Sequence, residues 1–336
     1  MKVLFDCHMP SVLAHGGQQI QAAKTLQALQ EIGVDAEFVR WWDSSQTGDI
    51  LHFFGRANSF YSAFAEKKGI KFVLADLLTA QGSRRWWQRA PHFGLRQFDR
   101  LSRGKIIASN FGWTTYRTAD AVLALTSWEA RLMQEMFVTN PEKIHIVPNG
   151  VEEVFFLPSE TNFPRPERED YLVCTATITE RKRVIELAEA AVLARTPVWI
   201  VGKPYSENDP YYLRFLDFQK KHPDTLRFEG PISDRSLMAT VYQKARGFVL
   251  LSTMESLSLS ALEAAAAGCP LLLSDLPWAR CTFEEKASYC PIDSPDKTRS
   301  HLRAFHDAAP SLPTPTRPAT WKEVAFQLQA LYEKIL

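Results

Sequence analysis

The chain is 336 residues long, enough for two domains of ordinary size. It is 46% hydrophobic and 23% charged, a globular profile, and its net charge of +1 excludes a global field that would select nucleic acid. No apolar run approaches the length of a membrane span, and the opening MKVLFDCH turns acidic too early for a secretory leader. The five cysteines, Cys7, Cys174, Cys269, Cys281 and Cys290, are odd in number and form no C-x-x-C. They are expected as idle thiols in a reducing, cytoplasmic setting.

In chain order the pattern alternates strand and helix. KVLF is a first strand, and GGQQIQAAKTLQALQEIG follows as a helix with Ile20, Leu26 and Leu29 on its apolar side and Gly33 as a stop. AEFVRW, DILHFF and IKFVLAD read as strands, then AVLALT, the helix WEARLMQEMF, and KIHIVPNGV. From Tyr171 the rhythm restarts with YLVCTAT, the helix KRVIELAEAAVLA, VWIVG, a helix around YYLRFLDFQKK, LRFEG, the helix RSLMATVYQKA and GFVLLS. Such alternation predicts parallel sheets with helices on both faces, and its repetition predicts two Rossmann-like domains. The Pro-rich, charged stretch Leu157–Asp170 reads as the linker. The expected division is residues 1–156 and 157–319. A final amphipathic helix, 320–336, is expected to pack back on the first domain through Val324, Leu328, Leu331 and Ile335.

The segment TMESLSLSALEAAAAGCPLLLSD, Thr253–Asp275, carries Glu255 and Glu263 with seven residues between them. GFVLLST before it is a buried strand, SALEAAAAG a short helix with Gly268 at its end, and PLLLSD the next strand. In parallel α/β sheets ligands gather where strands end and helices begin. A helix N-terminus there suits phosphate, and two carboxylates beside it suit sugar hydroxyls. A plainer reading also stands: Ser260 to Glu263 fits a capping box, and Glu255 fits a solvated turn.

The Glu-x7-Glu spacing with EAAAAGCPLLLSD resembles the signature of retaining glycosyltransferases of GT-B fold, in particular glycosyltransferase family 4. HIVPNGV with Phe155, TERKRVIELAEAA, RFEGPISDRSLMATVYQKARGFVLLST, HGGQQIQ, DILHFFG and TWKEVAFQLQALYEKIL resemble further family segments in the same order. The resemblance is strongest from Lys143 to Pro277. It implies two facing Rossmann-like domains, the first for the acceptor and the second for the nucleotide sugar.

By that resemblance Glu255 holds hydroxyls of the transferred sugar and Glu263 the ribose. Backbone N–H groups of Leu257, Ser258 and Leu259 meet the diphosphate, and Lys182, supported by Arg181, stabilises leaving-group charge. Gly16 and Gly17 bring the first loop close to the donor, backbone near Ile232 reads the base, and Asp76 orients the acceptor hydroxyl. From the residues alone, Lys182 also fits a solvated helix start, the Gly-Gly pair a plain turn, and Asp76 a strand-end cap. His52 is expected to be packed. Thr177 stands where the family usually has arginine, and Ser256-Leu257-Ser258 where glycine is usual.

The chain has no Asp-x-Asp pair of the kind that often holds a metal in glycosyltransferases. The implied activity is therefore a metal-independent, retaining hexosyl transfer on the donor's front face. No cofactor is expected beyond a UDP- or GDP-sugar substrate, and the acceptor is a glycan or a lipid-linked sugar. A catalytically silent module that binds nucleotide sugar or glycan is the alternative. Finally, Gln81–Lys105 carries Arg84, Arg85, Arg89, Arg96, Arg100, Arg103 and Lys105 against Asp99, interleaved with Trp86, Trp87, Phe93 and Phe98. That composition suits peripheral contact with an anionic membrane. It also fits a solvated excursion broken at Pro91 and Gly94.

Overall fold

The computed structural model describes residues 1–7, 16–84, 86–101, 113–156 and 168–336. Most of the linker stretch, and Arg85, Arg103 and Lys105, lie outside them. The chain divides into two units, Met1–Gly150 with Ala319–Leu336, and Val151–Pro318.

The first unit runs β1 (Lys2–Cys7), α1 (Gly17–Glu31), β2 (Asp35–Phe38), β3 (Ile50–Phe54), α2 (Ser59–Lys67) and β4 (Lys71–Ala75). It continues with α3 (Thr79–Ser83), α4 (Trp86–Leu101), α5 (Trp113–Thr118), β5 (Ala121–Ala124), α6 (Ser127–Phe137) and β6 (Ile144–Ile146). Its strands form one parallel sheet in the order β2-β1-β3-β4-β5-β6, with Phe5 opposite His52. The central strands are apolar on both faces because helices cover both, as parallel sheets require.

The second unit runs β7 (Glu169–Thr175), α7 (Val184–Ala194), β8 (Val198–Val201), α8 (Pro210–Lys221), β9 (Leu226–Phe228) and α9 (Arg235–Lys244). It continues with β10 (Ala245–Leu250), α10 (Leu259–Ala266), β11 (Leu271–Ser274), α11 (Pro277–Phe283), β12 (Ser288–Cys290) and α12 (Pro295–Ala308). Its sheet is also parallel, ordered β12-β11-β10-β7-β8-β9. From β7 the chain builds outward to β9, then returns to β10 on the other side. The crevice between the ends of β7 and β10 is thus a topological switch point, where a ligand can reach the sheet edge.

The last helix, α13 (Trp321–Ile335), belongs to the first unit and lies beside α1. Thr320 and Glu323 close a capping box at its start. Val324, Ala325, Leu328, Leu331 and Tyr332 are buried, and Ile335 is half-buried. A Cβ at Gly150 would sit 2.5 Å from the Trp321 Cα, so glycine there lets the two segments touch.

Two sequence expectations change, and two elements are added. Ile20 is 48% exposed, and α1 buries Gln21, Ala22, Thr25, Ala28 and Leu29 instead. That face lines, with α13, a small cavity walled by Gln21, Thr25, His52 and Asp76, so polar members are tolerated. The α4 helix runs unbroken through Pro91 and Gly94. The strand β12 and the helix α12 are two further elements, for which no signal was read from the sequence. A three-residue edge strand is too short for one, and α12 buries only part of one side.

His52 is 1% exposed, with Nδ1 2.6 Å from the Tyr332 hydroxyl and Nε2 without a hydrogen-bond partner. Burial pushes its pKa down to about 3 from an ordinary 6.5. The unfolded ring takes a proton below pH 6.5 while the folded ring does not, so its contribution is whole above 6.5 and is lost as pH falls toward 3. At pH 5 that amounts to about 2 kcal/mol. His52→Gln is therefore expected to flatten the decline of stability between pH 7 and pH 5, followed by chemical denaturation. Parallel declines in the two proteins would refute the assignment.

Candidate functional site

The switch point of the second unit collects the charged residues of the Glu-x7-Glu stretch. After β7 the chain makes a tight turn at Glu180–Lys182, and α7 starts at Val184, directly after the left-handed Arg183 (φ 53°). A non-glycine residue in that region is strained, and strain of this kind persists where the surroundings fix the backbone. The loop after β10 is tied to this turn by the Thr253 N–H, which donates to the Arg181 carbonyl at 2.8 Å.

Side chains then close on Glu255, which is 8% exposed. Lys182 Nζ pairs with Glu255 Oε1. Arg181 Nη1 donates to the Met254 carbonyl at 2.8 Å and to Glu255 Oε1 at 3.3 Å. Lys182 is largely buried against this carboxylate, so the solvated helix-start reading does not hold for it. Glu255 is likewise not a solvated turn residue. The hydroxyls of Thr179 and Ser252, at the same edge, are buried without a partner. Such orphaned groups are costly in a finished core and common where water or a ligand completes the set.

Glu263 forms a second cluster. The N-cap of α10 is Ser258, whose hydroxyl accepts from the Ala261 N–H, so Glu263 lies beyond the first turn and takes no part in capping. The capping-box reading is thus replaced. Glu263 Oε1 pairs with Arg235 Nη2, and its Oε2 accepts from the Tyr242 hydroxyl at 3.3 Å. Arg235 also donates through Nε to Glu152 at 2.9 Å, and its guanidinium lies 4.5 Å over the Phe155 ring. Burial pushes the Glu263 carboxyl above the ordinary carboxylate range, against the pull of Arg235.

Arg235 is the residue that sequence reasoning missed. It opens α9 behind the Asp234 N-cap and looks like any exposed helix start. Only the fold brings it to Glu152 and Glu263.

Leu257 and Ser258 are buried at the entry to α10, and Leu259 is its first residue. Gly268 follows α10 in the left-handed conformation (φ 67°), where glycine avoids the Cβ penalty. Ile232 is half-buried in the loop between β9 and α9. Thr177 is half-buried in the loop between β7 and the Glu180–Lys182 turn.

Gly16, Gly17 and Asp76 belong to the first unit. Gly16 caps α1 in an extended conformation, and among the described residues outside its own helix a Cβ at Gly17 would meet no atom within 4 Å. Asp76, 8% exposed at the end of β4, accepts from Arg56 Nε at 3.2 Å and from the Tyr116 hydroxyl. That places it in a buried charge cluster.

Comparison with known proteins fixes the family. The family description "Glycosyltransferase Family 4" matches residues 35–154, and "Glycosyl transferases group 1" matches 159–300, so that together they span most of the chain. The chain belongs to glycosyltransferase family 4. Among the relatives of this family 4 chain is the D-inositol 3-phosphate glycosyltransferase of Jonesia denitrificans, 28% identical over 46% of this chain and 41% of the relative. The chain thus matches less than half the length of that relative.

Solved structures share the fold across nearly the whole chain. A sucrose-phosphate synthase from Thermosynechococcus elongatus superposes with a TM-score of 0.63 at 15% identity, over 100% of this chain and 99% of that one. Anabaena HepE, solved with UDP and glucose, gives 0.62 at 12% identity over 99% of each chain. The two parallel Rossmann-like units are those of GT-B glycosyltransferases.

Proposed function

We propose that this family 4 chain is a retaining hexosyltransferase that moves a sugar from a UDP- or GDP-sugar to a glycan or lipid-linked acceptor, without a metal ion. The observation that carries the reading is the Lys182–Glu255 pair at the switch point, with Arg181 on the same carboxylate. Both cations can turn from Glu255 to a donor diphosphate, and Glu255 then accepts hydrogen bonds from hydroxyls of the sugar. Glu263 holds the ribose in the same manner, with Arg235 beside it.

In the transfer step the bond from the anomeric carbon to the donor phosphate oxygen breaks. The acceptor oxygen bonds to the same face, and its proton passes to the departing diphosphate. Lys182, Arg181 and the positive end of α10 at Ser258 and Leu259 offset the charge that develops there. Glu255 stands beside the cationic sugar. Backbone near Ile232 reads the base.

A panel of UDP-, GDP- and ADP-sugars in thermal unfolding tests the reading. One of the first two is expected to stabilise the protein, by about 2.7 kcal/mol at a hundredfold excess over Kd. If no nucleotide sugar shifts the transition, the proposal fails. Thr177, in place of the usual arginine, favours the second reading, a silent binding module. Binding without release of free nucleotide in the presence of glycan acceptors would select it.

A further inference from the structure

The α4 helix turns Arg89, His92, Arg96 and Asp99 inward along one face. Two of them are tied to the unit by polar contacts. Arg96 Nη1 donates to the Glu135 carbonyl at 2.6 Å, and Asp99 accepts from Arg117 Nη2 at 2.7 Å. The other two are not. Arg89 lies 4.8 Å over the Trp128 ring, yet its Nε and Nη1 are buried without a hydrogen-bond partner among the described residues. The His92 ring stacks on Trp113 at 4.6 Å, and its Nε2 is buried and unpaired in the same way. Groups of this kind are costly in a finished core and mark a place where a ligand supplies the missing acceptor.

The unpaired atoms face the ligand side of the first sheet. In parallel sheets ligands collect beyond the C-terminal ends of the strands, and at that edge Arg56 follows β3 and Asp76 follows β4. Arg56 Nε donates to Asp76 at 3.2 Å, and the Arg56 guanidinium lies 5.4 Å over the Phe137 ring. The His92 ring meets the same Phe137 ring edge-on at 5.9 Å, so Arg56 and His92 flank one aromatic side chain. Arg84, exposed just before α4, is in no ion pair among the described residues. Burial holds the His92 pKa below its ordinary value, and the charges of Arg56 and Arg84 press it down further. Both guanidinium groups thus act on this ring.

The carboxylates nearby are already engaged. Asp76 accepts from Arg56 and from the Tyr116 hydroxyl, and Glu129 accepts from the N–H groups of Leu78 at 3.0 Å and Leu125 at 2.9 Å. Arg56, Arg84 and Arg89 together exceed these two carboxylates in charge. Their donors come from the end of β3, from the approach to α4 and from its inward face. Donors from three parts of the chain suit a tetrahedral phosphate better than a planar carboxylate, and guanidinium groups match phosphate oxygens with paired hydrogen bonds. We propose that Arg56, Arg84, Arg89 and His92 form a site for a phosphomonoester carried by the acceptor. His92 donates through Nε2, and the arginines share the remaining oxygens. That the phosphate belongs to the acceptor rests on the transferase reading above; the anion site itself does not.

The test is calorimetry and histidine-ring NMR on the full chain without nucleotide, with glucose 6-phosphate, glycerol 3-phosphate, glucuronate and glucose as probes. Both phosphomonoesters are expected to bind and to raise the pKa of the His92 ring, whose signal is identified by its loss in His92→Phe. Glucuronate is expected to bind about tenfold more weakly, for want of one charge-assisted bond, and glucose not at all. The tighter of the two phosphomonoesters tells whether the phosphate comes from a sugar or from a lipid headgroup. In Arg84→Ser, phosphomonoester binding is expected to fall about tenfold. The pKa of the free His92 ring is expected to rise in that variant, because one of the two cations that press it down is gone. His92→Phe keeps an aromatic ring on Trp113 and is expected to weaken binding as well. Arg84 is exposed, so its variant retains the fold, and circular dichroism checks both. No binding of either phosphomonoester to the wild type, equal binding of glucuronate, or undiminished binding to Arg84→Ser overturns the proposal. None of these outcomes depends on nucleotide-sugar binding in the second unit.

Discussion

Lys182→Met is expected to lower kcat for the nucleotide sugar by roughly a hundredfold to a thousandfold, the usual cost of removing one group that stabilises leaving-group charge. It is also expected to destabilise the second unit, because Glu255 is nearly buried and would lose its Lys182 partner. The double variant Lys182→Met/Glu255→Gln separates the two effects. Its neutral side chains leave no buried carboxylate to be paired, and Arg181 is half-exposed to water, so stability should return toward wild type. Turnover should stay at or below that of the single variant, because in the proposed mechanism Glu255 meets the sugar. Restoration of both stability and turnover in the double variant would mean that the pair is structural and that the catalytic assignment is wrong.

Glu263→Gln is expected to weaken nucleotide-sugar binding by about tenfold to a hundredfold, since a hydrogen bond to a charged group contributes about 1.5–3 kcal/mol. The pH dependence makes this prediction sharper. The folded-state pKa of Glu263 is raised by burial, so the binding-competent carboxylate is present above that pKa and is lost as pH falls through it. Wild-type affinity should therefore decline on the acid side at a pH above the ordinary glutamate value. Arg235 pulls that pKa down, so Arg235→Met should move the decline to higher pH. In Glu263→Gln the decline should vanish. A nucleotide sugar is a suitable probe because its diphosphate is esterified at both ends and does not itself titrate in this range. Identical acid limbs in wild type and Glu263→Gln, by calorimetry, would show that the ribose is held elsewhere.

Much of the architecture was legible in the chain because it is encoded locally. Short apolar runs such as FVLL at 248–251 and LLLS at 271–274 can only be buried parallel strands when helices alternate with them. The Glu-x7-Glu spacing, read with the segments around it, was enough to point to the family. Gly268 announced the end of α10 because a left-handed residue is needed there.

Other features depended on contacts that no local pattern carries. Glu255 and Glu263 have similar neighbours in sequence, yet one is held by Lys182 and Arg181 and the other by Arg235 and Tyr242. Those partners lie 21 to 74 residues away and arrive only because β7 and β10 are adjacent in the sheet and α9 packs on α10. Likewise, the arginines of 81–105 declare a basic segment, but not that Arg89 and Arg96 turn inward while Phe98 and Leu101 face out. That choice was made by Trp128, Glu135 and Arg117, whose polar and aromatic groups offered α4 better contacts on its charged side than on its apolar one.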